Sequence, residues 1–164
     1  MNHIFGEASL KQLSTLHPDL RLIMTEAIKR CEVDFALVEG YRSPEKQFEY
    51  FKKGRALDQH GNWVVVNKRN VITNIDGYKI IGKHNYYPSI AVDIAAYVPD
   101  KPDLAYDPSH LSYIAGSIMR IAEQLYDEGK ITHLVRWGGD WNVNGDFTDS
   151  NLCDKPHFEI YITK

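Results

Sequence analysis

The chain is poor in cysteine. Cys31 and Cys153 are its only two among 164 residues, and they form neither a disulfide framework nor a CxxC motif. Two reduced thiols are expected, and a small disulfide-stapled scaffold is excluded. No stretch approaches the roughly eighteen apolar residues that a membrane span needs. The opening MNHIFGEASLKQL lacks the charged-then-apolar layout of a secretory signal, so synthesis in the cytoplasm without a signal peptide is expected. Charge of one sign is also scarce. The formal net charge is −3 and there is no basic run, which leaves no general attraction to nucleic acid or anionic membrane. Repeats, low-complexity segments and breaks in composition are missing as well, so residues 1–164 read as one domain.

What is present is a mixture of helical and strand patterns. ASLKQLSTLHPDLRLIMTEAIKRCE predicts two helical pieces split at Pro18, the second with Leu20, Ile23, Ala27 and Ile28 on one face. DFALVEGY alternates as a strand. RSPEKQFEYFKKGR predicts a helix capped by Ser43, with Tyr50 and Phe51 packed on the core. Residues 57–83 predict short strands joined by Asn/Gly and Asp-Gly turns, a hairpin excursion. AVDIAAYV is a further strand. PSHLSYIAGSIMRIAEQLYDEG is the longest helix, capped by Asp107 and stopped at Gly129, and LVRWGG and HFEIYI supply two last strands. Because the elements do not alternate regularly, the expected class is α+β, a small and mainly antiparallel sheet flanked by helices.

One carboxylate is out of place. Asp93 lies within the apolar strand AVDIAAYV, nine positions after His84. An unpaired buried charge costs several kcal/mol, so such a group is normally matched by a cation or a metal. Histidine nitrogen and aspartate oxygen suit zinc, which needs a third protein ligand and an open position if it is catalytic. His157, at the head of the last strand in DKPHFEIYI, is the best remaining candidate. Asp154, three residues earlier, stands at a spacing suited to a general base. His3, His17, His60, His110 and His133 read as surface or hydrogen-bonded residues, with nothing converging on His110 or His133.

These residues carry a resemblance. HNYYPSIAVD is similar to the H-x-x-G-x-A-x-D element of zinc peptidases that cut peptidoglycan stem peptides. EGYRSPEKQ resembles their G-x-R-[ST]-x-x-x-Q segment, and RWGGDW followed by DKPHFE resembles their closing block. These are the D-Ala-D-Ala carboxypeptidases and the phage L-alanyl-D-glutamate endopeptidases, and WGGDWNVNGDFTD is most similar to the phage branch. The resemblance implies a hedgehog/DD-peptidase-like fold and zinc on His84, Asp93 and His157. It further implies Asp154 as base and Arg42 on the substrate carbonyl or oxyanion. Gln47, one helical turn onward, either orients Arg42 or faces solvent. The spacing from His84 to Asp93 is two residues longer than the common form, so Tyr86 to Pro88 are expected to bulge. Gly82 stands where a serine is usual and Ser89 where a glycine is usual. Tyr86, Tyr87 and Ser89 are the substrate contacts that this loop would offer. Trp63 and Tyr78 either line a groove with them or cover the core.

A second ion is written into DWNVNGDFTDSN. Asp140, Asn142, Asn144, Gly145 and Asp146 fall at positions 1, 3, 5, 6 and 7 of an EF-hand-like loop, with Thr148 at position 9. Asn151 takes the twelfth place, and Asp149 is near enough to substitute. Calcium as a regulatory ion is one reading, and an Asn-Gly turn is the other.

The expected function is a zinc-dependent endolysin that hydrolyses the L-alanyl–D-glutamate bond of peptidoglycan. It would be monomeric and without a separate wall-binding domain. The resemblance places it in the host cytoplasm first, and in the periplasm once the membrane is permeabilised. A D-alanyl-D-alanine carboxypeptidase is the alternative within the same chemistry. A wall-binding module with a structural zinc is a different class, but it would need four closed ligands. A carboxylate-pair glycosidase has acids enough in Asp140, Asp146, Asp149 and Asp154, yet leaves His84 and His157 unexplained.

Overall fold

A computed structural model describes residues 2–149 and 153–161. The helices are α1 (Glu7–Leu13), α2 (Pro18–Arg30), α3 (Pro44–Lys52) and α4 (Pro108–Asp127). The strands are β1 (Phe35–Glu39), β2 (Arg55–Leu57), β3 (Trp63–Val65), β4 (Ala91–Ala96), β5 (Leu134–Trp137) and β6 (His157–Tyr161). Four strands form one antiparallel sheet in the order β1-β4-β6-β5, and β2 and β3 make a separate hairpin. This is the α+β architecture that the pattern predicts; the hairpin begins at Arg55, so of β2 only Leu57 falls within residues 57–83.

The core lies between the four-stranded sheet and helices α2 and α4. On α2, Leu20, Ile23, Ala27 and Ile28 are buried, joined by Met24 one turn from Leu20. On α4, Leu111, Ile114, Ile118 and Leu125 follow the same helical spacing and are buried. Removing each such side chain from water contributes about 1.5–3 kcal/mol. Asp107 caps α4 by accepting from the N–H groups of Ser109 and His110, and Gly129, at φ +66°, supplies the left-handed residue that ends it. Cys31 is buried in this core, Cys153 is exposed, and both thiols are free.

Helix α3 departs from expectation. Tyr50 and Phe51 are not in the central core, and the buried residue of this helix is Gln47. Phe48 instead packs against Phe51, Trp63 and Tyr78, at ring-centroid distances of 5.7–5.8 Å. Trp63 and Tyr78 therefore cover α3, and the helix serves as the support on which the excursion rests. The excursion itself is thin, and between residues 52 and 83 only Gly77 and Gly82 are buried.

Candidate active site

Sheet register brings the chemistry together. Asp93 on β4 is directly opposite His157 on β6, and also opposite Glu39 on β1. Directly opposed residues in an antiparallel pair have their Cβ atoms about 4.5–5.5 Å apart, so the row Glu39–Asp93–His157 runs across three strands. His84 enters from a short 3-10 turn, Lys83–Asn85, whose carbonyl accepts from the Arg42 N–H at 2.9 Å.

Three donor atoms converge there. Asp93 Oδ1 is 2.9 Å from His157 Nδ1 and 3.3 Å from His84 Nε2, and the two imidazole nitrogens are 3.3 Å apart. The outward nitrogens are also held. His84 Nδ1 donates to the Gly40 carbonyl at 2.7 Å, and His157 Nε2 donates to Glu159 Oε2 at 3.2 Å. Glu159 in turn accepts from Arg136 at 2.9 and 2.6 Å. With its outer nitrogen donating, each ring presents a lone pair inward, which is the arrangement of a metal-ligating histidine. The donor set therefore fits a zinc ion: two imidazoles and one carboxylate, with an open cleft in front of them.

The electrostatics follow. Burial opposes the Asp93 charge, but hydrogen bonds from His157 and His84 outweigh it and hold the carboxyl well below the ordinary range. Burial likewise opposes charge on His157, but hydrogen bonds to Asp93 and Glu159 win and raise it to about 9. The consequence for the metal-free protein has a definite sign. The stabilisation from His157 is complete below its unfolded value of 6.5 and is lost as pH rises through about 9. Asp93 contributes above its unfolded value of 3.8, and that contribution is lost only well below it as pH falls. A chelator-treated sample should therefore melt progressively lower between pH 6.5 and 9, measured by calorimetry. A metal that replaces the proton should flatten that slope.

Asp154 lines the same cleft. Burial, with the negative charge of Asp93 adding to it, pushes its pKa up against the opposing pull of His157, His84 and Arg42. Its position is set by backbone. The Asp154 N–H donates to the Gly138 carbonyl at 2.8 Å, and the Gly138 N–H donates to the His157 carbonyl at 2.8 Å. A Cβ on Gly138 would stand 2.3 Å from the Asp154 carbonyl oxygen, so only glycine permits this approach.

Arg42 is gripped on several sides. It donates to Glu39 through Nε and Nη2 and to Gln47 Oε1 at 2.9 Å, stacks over the Tyr50 ring, and places Nη2 3.7 Å from Asp93 Oδ2. Gln47 is buried and donates to the Ile75 carbonyl, which ties Arg42 to the excursion. Gln47 therefore does not face solvent, and its amide oxygen accepts from Arg42. Glu39 also accepts from Lys46. Glu39→Gln should lower stability by about 3 kcal/mol in denaturant unfolding, because it removes the buried carboxylate that Arg42 and Lys46 share and leaves the guanidinium only its longer contact to Asp93.

The cleft has a volume of about 630 Å³ and is walled by Arg42, Tyr50, Trp141, His157 and, from the excursion, Val71–Ile75 with Gly82 and Lys83. Other expected contacts are elsewhere. Tyr86 and Tyr87 are exposed and do not line the cleft, and Tyr87 packs edge-on against Tyr41. Ser89 is fully buried, and its hydroxyl donates to the Gly40 and Ala91 carbonyls, so it braces the strand beyond the reach of a substrate. Three partners were not singled out from sequence. Glu159 is two residues from His157 on a strand, and that spacing puts both on one face. Glu39 precedes Arg42 by three residues. Trp141 lies with its ring 5.5 Å from that of His157 and its Nε1 buried without a hydrogen-bond partner among the described residues.

His133 corrects a further expectation, since other residues do converge on it. Its Nδ1 lies 2.8 Å from Asp19 Oδ2, and its ring packs edge-on against His17. Among the described residues this trio and His84–Asp93–His157 are the two groups of metal-ligating type. The Asp19 oxygen already accepts from Thr132 and from the His133 backbone, which makes the trio a tie between α2 and the approach to β5.

The calcium-like loop has the geometry of its turn. Asp140 accepts from the Asn144 and Gly145 N–H groups, Asp146 from the N–H and hydroxyl of Thr148, and Asp149 from the amides of Asn142 and Asn144. These bonds close the loop on itself, and nothing in the geometry assigns it a cation. Asn151 lies outside the described residues.

The family model for the phage L-alanyl-D-glutamate peptidase matches residues 1–161. The L-alanyl-D-glutamate peptidase of Escherichia phage T5 is 26% identical over 163 residues, 98% of this chain and 99% of that one. The crystal structure of the L-Ala D-Glu endopeptidase ChiX of Serratia marcescens shares the fold. Its TM-score is 0.60 at 22% identity, with 97% of this chain and 91% of that one covered.

Proposed function

Because this chain belongs to the phage L-alanyl-D-glutamate peptidase family, we propose that it is a zinc-dependent endopeptidase hydrolysing the L-alanyl–D-glutamate bond of peptidoglycan stems. The observation that carries the zinc assignment is the convergence of His84, Asp93 and His157 with both outer imidazole nitrogens already bonded. A zinc ion held by these three would supply a Lewis acid able to make water nucleophilic near neutral pH. Three ligands beside an open cleft favour catalysis over the closed, four-ligand site of a structural zinc.

The residues around them have separable tasks. The Asp154 carboxylate, its pKa raised by burial, accepts the proton of the attacking water and returns it to the leaving amine. Arg42, fixed by Glu39 and Gln47, offers its guanidinium to the carbonyl oxygen as negative charge develops there, a contribution of a few kcal/mol per donor. Trp141 and Tyr50 wall the groove in which the peptide would lie.

Purified peptidoglycan digested with and without a chelator, then examined by mass spectrometry, tests the proposal. New fragments with N-terminal glutamate are expected, and they should vanish with chelator and return with zinc. Release of terminal D-alanine alone would instead assign a carboxypeptidase, and no new fragment would remove the peptidase.

A further inference from the structure

Charge is segregated along this chain. Residues 52 to 83, the 57–83 excursion together with the end of α3 and the start of β2 that lead into it, hold seven cations against two carboxylates, Asp58 and Asp76, a net of +5 within a protein of net −3. The cations are dispersed, so no run marks them in the sequence. Outside the excursion several cations are neutralised locally: Lys29 and Arg30 by Glu26, Arg42 and Lys46 by Glu39, and Arg136 by Glu159. Inside it, only Lys52 has a carboxylate partner among the described residues, Glu49. Lys53, Lys68, Arg69, Lys79 and Lys83 have none, and Arg55, also without a carboxylate, is engaged by the Phe51 and Thr73 carbonyls and the Asn74 amide oxygen. The two local acids do not compensate, because both are used to close turns. Asp58 accepts from the N–H groups of His60 and Asn62, and Asp76 from those of Tyr78, Lys79 and Ile80.

The same segment exposes apolar side chains. Val65, Val66, Ile72, Ile80 and Ile81 are about half or more accessible. It is also continuous with the cleft, whose wall includes Val71–Ile75, Gly82 and Lys83. A surface of unpaired cations and exposed aliphatics, opening onto the groove where a polymer would be cut, fits a polyanion that extends beyond the scissile bond.

We propose that the 52–83 segment, excursion and approach together, is a docking surface for the carboxylate-bearing stem peptides of peptidoglycan, holding the polymer beside the cleft. The proposal rests on the peptidase reading above. A glutamyl residue keeps one free carboxylate whichever of its carboxyls continues the chain, so a polymer bearing such stems is polyanionic. Cations spread over the excursion engage several stems at once, and the aliphatic side chains meet alanyl methyls and the apolar faces of sugar rings. An anionic lipid surface shares the charge but has no reason to adjoin the cleft.

The test is a triple variant, Lys68→Glu, Arg69→Glu and Lys79→Glu. It changes exposed side chains that have no ionic partner among the described residues and do not line the cleft. An unchanged melting temperature checks the fold, and a triple glutamine variant should show an intermediate effect if charge is the cause. Co-sedimentation with purified sacculi at low salt should weaken about tenfold, and the parent protein's binding should itself fall as salt screens the charges. Hydrolysis of sacculi should drop by a similar factor, while cleavage of a short soluble peptide with one L-alanyl–D-glutamate bond should stay unchanged. Undiminished sacculus binding by the glutamate variant would overturn the proposal, as would a loss confined to phosphatidylglycerol vesicles. If the parent protein leaves the soluble peptide intact, the peptidase reading fails, whereas sedimentation still reports on the surface.

Discussion

Asp154→Asn is expected to lower kcat by about 10²–10⁴-fold, the usual contribution of a positioned general base, with bound metal and KM little changed. The amide preserves the shape of the carboxylate, so the backbone contact to Gly138 survives. What it removes is the ability to take a proton. The pH profile supplies a second readout. Because burial raises the Asp154 pKa above its ordinary 3.8, activity should fall in acid along a limb displaced upward from that of a solvated aspartate. The active form is the deprotonated one, so activity is present above the limb and lost below it. The asparagine variant should lose that limb. Near-normal turnover in the variant would take Asp154 out of the mechanism.

The second large effect concerns the histidines. His157→Ala is expected to reduce retained zinc to background and abolish peptide cleavage, measured by elemental analysis and turnover on the same sample. Two donors, His84 and Asp93, would remain where three are needed. A graded partner makes the experiment sharper. Glu159→Gln keeps all three donors but weakens the acceptor on His157 Nε2, so zinc affinity should fall about 10–100-fold, as is usual for outer partners of a ligating histidine. Excess zinc should then restore Glu159→Gln but not His157→Ala. Equal metal content in all three proteins would refute the site.

Some of this could be read directly from residues. Helices α2 and α4 announce themselves by apolar spacing and by capping residues such as Asp107, which are local signals. Asp93 stood out because a carboxylate in an apolar strand needs a partner, and the nearest histidines in suitable contexts were His84 and His157. Other roles were legible only in retrospect. Glu159 follows His157 by two on a strand, so one face could have been inferred, but its pairing with Arg136 depends on β5 lying beside β6. Ser89 was expected to meet substrate because it lies on the loop that follows His84, whereas packing against the α1–α2 junction buries it. Tyr86 and Tyr87 were placed near the site by sequence proximity to His84, and the turn carries them out of it.

The amino-acid sequence alone determined the main element types and the α+β class, and singled out His84, Asp93 and His157 as candidate donors, since capping, periodicity and a carboxylate in an apolar run act over a few residues. Only the tertiary structure decided which groups meet. Strand register sets Asp93 opposite both Glu39 and His157, and close approach at Gly138 positions Asp154. The excursion lays Val71–Ile75 and Lys83 along the cleft and leaves Lys68, Arg69 and Lys79 exposed outside it. Those outcomes depend on contacts between segments tens of residues apart, where chain order carries no distance and packing does.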